Sequence, residues 1–159
     1  RYSAAIAVVA VAILIAAGAR PWISGLRGDV DELNHPATEL AQALRDAGYD
    51  GTSPIIASDH MMAGMLRLRF PDAPVDACTS AEEDVATCVA GHAARSQRAG
   101  TGMLLISRTD RVEPGWWAKA QAGMTPQPVQ SIRLPFRMVR EGTPPAHYEY
   151  IWQPPQRQP

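Results

Sequence analysis

Residues 54–70 read Pro-Ile-Ile-Ala-Ser-Asp-His-Met-Met-Ala-Gly-Met-Leu-Arg-Leu-Arg-Phe, and they decide the fold class. Pro54-Ile55-Ile56-Ala57-Ser58 is a short apolar run of the kind a doubly covered strand requires. Asp59 then supplies a capping carboxylate, and His60–Phe70 carries apolar residues at helical spacing before Pro71 stops it. A buried strand running straight into a capped helix is the opening of a β-α-β crossover.

Working outward, the same alternation recurs on both sides. Upstream, Asn34-His35-Pro36 leads into ATELAQALRDAG, a helix whose Leu40, Ala43, Leu44 and Ala47 share a face and whose terminator is Gly48. Downstream, Ala73–Asp76 is a weaker strand. Ser80-Ala81-Glu82-Glu83 has the pattern of a capping box opening a long helix to about Arg98, closed by Gly100. Gly102–Ser107 is the clearest strand, and Trp116–Met124 a short helix after Glu113-Pro114-Gly115. Two extended segments follow, Val129–Val139 and His147–Trp152, with a Gly-Thr-Pro-Pro turn between them. The expectation is a small three-layer α/β domain over residues 23–153. Its sheet is mostly parallel, with a C-terminal antiparallel hairpin on one edge. Residues 154–159, rich in Pro and Gln, form a tail.

The N-terminus differs in kind. From Ala4 to Ala19 every residue is apolar or Gly, and the uncharged stretch between Arg1 and Arg20 is 18 residues long. As a helix it spans about 27 Å, close to the ~30 Å hydrocarbon core of a bilayer. Residues 1–22 are therefore expected to be a transmembrane helix with flanks. Tyr2, Arg20 and Trp22 stand at its membrane interfaces, in contact with lipid. Ala17-Gly18-Ala19 also matches the small-x-small pattern of a secretory signal cleavage site, and a run without a polar stripe could hide in the core of a much larger protein. The first two alternatives both place residues after about 22 in the periplasm or another extracytoplasmic space. The chain starts at Arg1 rather than Met, so it is expected to be cut from something longer.

The overall composition excludes several functions. With 159 residues, 46% hydrophobic and 19% charged, the chain has the size and makeup of a folded domain plus an appendage. Its 15 basic and 16 acidic side chains give a net charge of −1, without the cationic surplus that nucleic-acid binding demands. Cys78 and Cys88, the only cysteines, could close a short disulfide loop in an oxidising space. They could instead serve a metal with His92 and Asp76 or Glu82, or remain two thiols. No Cys-x-x-Cys is present, so no metal site is assigned.

Catalytic motifs are missing as well. Ser58, Asp59 and His60 are chain neighbours and cannot line up as a hydrolase relay, and no Gly-x-Ser-x-Gly elbow exists. Gly100-Thr101-Gly102 precedes a strand, whereas a dinucleotide loop follows one. No catalytic residue is assigned. Ligands in such sheets bind outside the carboxyl ends of the strands, which points to Ser58-Asp59-His60 after one strand and Ser107-Arg108-Thr109-Asp110 after another, with Asp59, His60, Arg108 and Asp110 as the expected binding edge. Trp116 and Trp117 cannot both face the core, so one is expected to be exposed or set against the membrane surface.

Taken together, an apolar span running into Arg20-Pro21-Trp22, an Ala-Leu-rich helix ending in Gly48, the run Ile55–Phe70 and the turn Pro71-Asp72-Ala73-Pro74-Val75 resemble the C-terminal extracytoplasmic region of bacterial GT-C class glycosyltransferases. The resemblance is to the protein-mannosyltransferase-like group that includes the lipid A aminoarabinose transferases, and it covers residues 1–76 best. It implies a parent inner-membrane enzyme that passes a sugar from a polyprenyl-phosphate donor to an extracytoplasmic acceptor, whether glycan, lipid or protein. This segment would be a non-catalytic accessory part packed with the rest of the membrane bundle and holding no cofactor of its own. The alternative is a membrane-anchored or secreted ligand-binding module.

Overall fold

A computed structural model describes residues 2–27, 30, 32–81 and 84–155, without the side chains of residues 2–5, 21 and 26. Among the described residues, five helices, one 3-10 turn and five strands follow one another. The helices are α1 (Tyr2–Arg27), α2 (Ala37–Asp46), α3 (His60–Arg67), α4 (Val85–Ala99) and α5 (Trp116–Ala122). The strands are β1 (Ile55–Ala57), β2 (Val75–Ala77), β3 (Met103–Arg108), β4 (Gln130–Leu134) and β5 (Ala146–Gln153). The chain divides into two compact units.

The larger unit comprises Ala37–Leu134 and His147–Pro159. Its sheet has the order β2-β1-β3-β5-β4 and is mixed. β1 runs parallel to both β2 and β3, and β5 runs antiparallel to β3 with Leu105 opposite Ile151. The expected hairpin is thus its antiparallel edge, with β4 outermost. Side-chain alternation divides the strands between two helical layers. Ile56, Met103, Leu105 and Ile151 pack with Val85 and Val89 of α4 and Trp116 and Ala120 of α5. Ile55, Ala57, Leu104 and Ile106 point the other way, the side of the buried Leu40 and Leu44 of α2 and Met62 and Leu66 of α3. Tyr49 closes that side edge-on to both Phe70 and Trp152.

Local chemistry moves several expected boundaries. Glu82 and Glu83 lie outside the described residues, and the N-cap of α4 is Asp84, whose carboxylate accepts the Thr87 N–H at 3.0 Å. Ser80 instead donates its hydroxyl to Glu113. α3 ends at Arg67, with Leu68 as its C-cap. β4 stops at Leu134 rather than reaching Val139, because Pro135 has no N–H for a ladder. Gly100 ends α4 in the left-handed conformation, as expected. The disulfide joins Cys78, just after β2, to Cys88 on α4, with Cα atoms 5.9 Å apart.

The smaller unit comprises Arg1–Pro36 and Pro135–Ala146. α1 continues five residues past the expected boundary at Trp22. Its apolar window, Ile6–Gly25, is long enough to cross a membrane, and its most apolar 18 residues show no burial among the described residues. Trp22 is 59% exposed and Arg20 is exposed, while the side chain of Tyr2 lies outside the described residues. The loop at 135–146 is sewn to the end of that window at Gly25 and to Asn34 and His35 beyond it. Arg137 donates its N–H to the Asn34 carbonyl at 2.7 Å, and the Asn34 side-chain amide donates to the Arg137 carbonyl at 2.8 Å. Arg140 donates to the Gly25 carbonyl, and His35 meets Phe136 edge-on. Gly25 must be glycine here, because a Cβ would collide with the Met138 carbonyl.

Candidate functional site at the carboxyl edge of the sheet

From β1 the chain crosses to β2 on one side and later to β3 on the other, so the winding direction reverses between β1 and β3. Outside the carboxyl ends of strands at such a reversal, no crossover covers the crevice, and α/β sheets bind ligands there. Ser58 follows β1 and donates its N–H to the Ile106 carbonyl, which sets it beside Ser107 on the neighbouring strand. β5 begins at the same edge, with Tyr148 opposite Arg108 and the His147 carbonyl accepting from the Thr109 N–H.

The polar chemistry of the unit concentrates at this edge. Among the described residues, six buried side-chain polar atoms lack a hydrogen-bond partner in the protein, and five lie here: Ser58 Oγ, Asp59 Oδ2, Thr79 Oγ1, Ser107 Oγ and His147 Nε2. An unsatisfied buried polar group costs roughly 1–3 kcal/mol, so a cluster of them calls for a function. The sixth, Ser96, is on α4.

Of the residues singled out from sequence, Asp59 and His60 stand after β1, with Arg108 at the end of β3 and Asp110 just beyond it. All four are brought to this one edge by the parallel pairing of β1 and β3. Their roles differ. Asp59 caps α3, its Oδ1 accepting the Met62 N–H at 2.8 Å, and only its second oxygen is unsatisfied. His60 is an exposed first residue of α3. Arg108 is 4% exposed and grips Asp110 with two guanidinium nitrogens, at 2.8 and 3.2 Å. Its charge is therefore already answered, and the edge presents hydroxyls rather than a bare cation. Glu113 stands nearby in the chain, its carboxyl held below the usual carboxylate range by the Ser80 hydroxyl and by Lys119.

The tryptophan pair divides between the core and its edge. Trp116 is buried and donates its Nε1–H to the Cys78 carbonyl at 2.8 Å. Half-buried Trp117 stacks edge-on to it and donates to Glu149 at 2.6 Å.

Sequence reasoning missed Thr79 and His147 as members of this edge. Neither sits in a motif, and only the strand order shows that β2 ends and β5 begins beside Ser58 and Ser107. The signal that could have found them is a polar residue directly after or at the start of a short apolar strand. Compared with known proteins, the chain matches no family model, no curated protein and no solved structure.

Proposed function

We propose that the chain is the accessory, membrane-anchored part of a GT-C-type envelope glycosyltransferase. In this reading α1 is a span of the enzyme, the α/β unit lies in the periplasm, and the carboxyl edge of its sheet holds a hydroxyl-rich portion of the sugar acceptor. The observation that carries the binding role is the set of unsatisfied hydroxyls flanking the winding reversal, Ser58, Thr79 and Ser107, beside the free oxygen of Asp59. Such donors and acceptors complement a neutral polyhydroxylated ligand, which pairs with each without bringing a charge to be buried. The set binds rather than transforms, because Asp59 is committed to its cap and Arg108 to Asp110. The sugar donor, a polyprenyl-phosphate conjugate, and the acidic catalytic groups would belong to the remainder of the membrane enzyme.

The test is transfer of labelled sugar from polyprenyl phosphate to envelope acceptors in native membranes. Ser107→Ala, which removes the hydroxyl, is expected to raise the KM for acceptor severalfold and leave kcat unchanged. An in-frame deletion of the α/β unit should abolish transfer. Envelope glycans unchanged by that deletion would overturn the transferase reading. The unsatisfied edge would then favour the second reading, an anchored binding module. A coding sequence with repeated apolar spans upstream of Arg1 supports the first, and an initiator a few codons before Arg1 supports the second.

A further inference from the structure

The disulfide lies within a second cluster of donor atoms, and the sheet and helix present it as two facing pairs. Asp76 and Cys78 are two residues apart along and just past β2, so their side chains leave the same face of the strand. Cys88 and His92 are four apart on α4, one above the other on one helix face. One ligand atom each from Cys78, Cys88 and His92 lies within 4.8 Å of the others. His92 Nε2 is 3.3 Å from Asp76 Oδ2, while Asp76 Oδ1 accepts the Ala77 N–H.

We propose that Asp76, Cys78, Cys88 and His92 bind a zinc ion when the disulfide is reduced. A tetrahedral zinc with ordinary bond lengths has an N···O edge of about 3.3–3.4 Å and an S···S edge of about 3.7–3.8 Å. The His92–Asp76 separation already matches the first. Opening the S–S bond needs only a side-chain adjustment to reach the second. The backbone is held independently of the bond. The Cys78 N–H donates to the Ala57 carbonyl, its carbonyl accepts from Trp116, and the Cys88 N–H is tied into the first turn of α4 by the Asp84 carbonyl. Asp76 and His92 also line an open cleft of about 600 Å³, which gives an ion a way in.

The redox step balances with a dithiol protein as reductant. Its two thiols become a disulfide while two electrons and two protons convert the Cys78–Cys88 bond into two thiols. Zinc then displaces both thiol protons to solvent and takes two thiolates, one neutral imidazole and one carboxylate. Disulfide and metal are thus mutually exclusive states of one site, and either one ties β2 to α4.

Cobalt(II) titration of the full chain in detergent tests this, because tetrahedral sulfur ligation gives thiolate-to-cobalt charge-transfer absorption. The chain reduced by a phosphine is expected to bind one equivalent with that absorption, released on adding zinc. The oxidised chain should show none. His92→Ala, which leaves the disulfide intact and can be checked for an unchanged melting temperature when oxidised, should weaken cobalt binding in the reduced chain about tenfold or more, and Asp76→Asn should weaken it too. Absence of charge transfer in the reduced chain, equal binding by the oxidised chain, or unchanged affinity in His92→Ala would each overturn the proposal.

Discussion

Ala4–Ala19 and Met103–Arg108 are both almost wholly apolar in their central residues, yet the chain treats them in opposite ways. In β3, Leu104, Leu105 and Ile106 are each 0% exposed, covered by helices on both faces. In α1, Ile13, Leu14 and Ile15 are 62–71% exposed. Burial of apolar surface drives both segments out of water, but β3 finds its apolar surroundings within the protein. α1 is long and apolar enough to cross a membrane, and a helix with every backbone group bonded within itself is a form that can enter lipid. Apolar composition therefore says only that a segment leaves water. Period, length and the availability of partners say where it goes.

Four substitutions and one titration test that contrast, from the largest effect to the smallest. Leu105→Ala should destabilise the α/β unit by about 2–5 kcal/mol, read from denaturant unfolding of the full chain in detergent. A loss below 1 kcal/mol would mean that β3 is not the centre of the core. Ile13→Arg should leave that unfolding curve unmoved and disfavour membrane insertion by about 2.5–3.5 kcal/mol. Carbonate extraction should then shift protein from the pellet to the wash. A mature N-terminus at Arg20 in the unsubstituted protein would make α1 a cleaved signal instead. Replacing Cys78 and Cys88 with Ser should cost about 2–3 kcal/mol by loop entropy, lowering the melting temperature without loss of the fold.

Ser107→Ala removes a buried hydroxyl that has no partner in the protein, so it should be neutral or stabilise by up to about 1 kcal/mol. A clear loss of stability would show that the hydroxyl is engaged within the fold, contrary to its role at a ligand edge. The smallest effect is in pH. The Thr87 N–H, the largest influence on Asp84, holds its carboxyl below the usual range, with the Thr87 hydroxyl adding to it. The cap therefore contributes fully above the unfolded carboxyl's value of about 3.9, and its contribution fades as pH falls through the lower folded value. Carbon-detected titration of Asp84 should show a midpoint below that of a free aspartate, and an ordinary midpoint would remove the cap from α4.

Much of the larger unit was legible because its signals are local. Ile55–Ala57 and Met103–Ile106 are apolar runs of strand length. Asp59 and Gly100 are punctuation whose chemistry acts within four residues, and both do what their positions suggest. The misread boundaries were also local conflicts. Ser80-Ala81-Glu82-Glu83 has the letters of a capping box, but Asp84 lies one residue before the helix and accepts from its first turn. Pro135, with no N–H for a ladder, ends β4 five residues before the expected Val139. The rest depended on tertiary pairing. Ser58 and Ser107 are 49 residues apart in number and were expected at one sheet edge, but only the parallel register of β1 with β3 sets them side by side. Asp76 and His92 stand among the possible ligands in the sequence, but only the packing of α4 beside β2 brings them to 3.3 Å. The collar of Asn34 and Arg137 could not be anticipated, since main-chain hydrogen bonds carry no residue signature.

That collar has a consequence for the order of events in biogenesis. Asn34 and Arg137 are separated by 103 residues, and each needs the other's backbone carbonyl. At synthesis rates of about 5–20 residues per second, Asn34 waits roughly 5–20 s before its partner exists. Throughout that interval the Gly25 carbonyl and the Asn34 amide stay open to solvent or to any passing chain. A pause in translation between residues 35 and 137 would prolong this vulnerable period, and a helper protein that guards Asn34 would have its work finished by the arrival of Arg137.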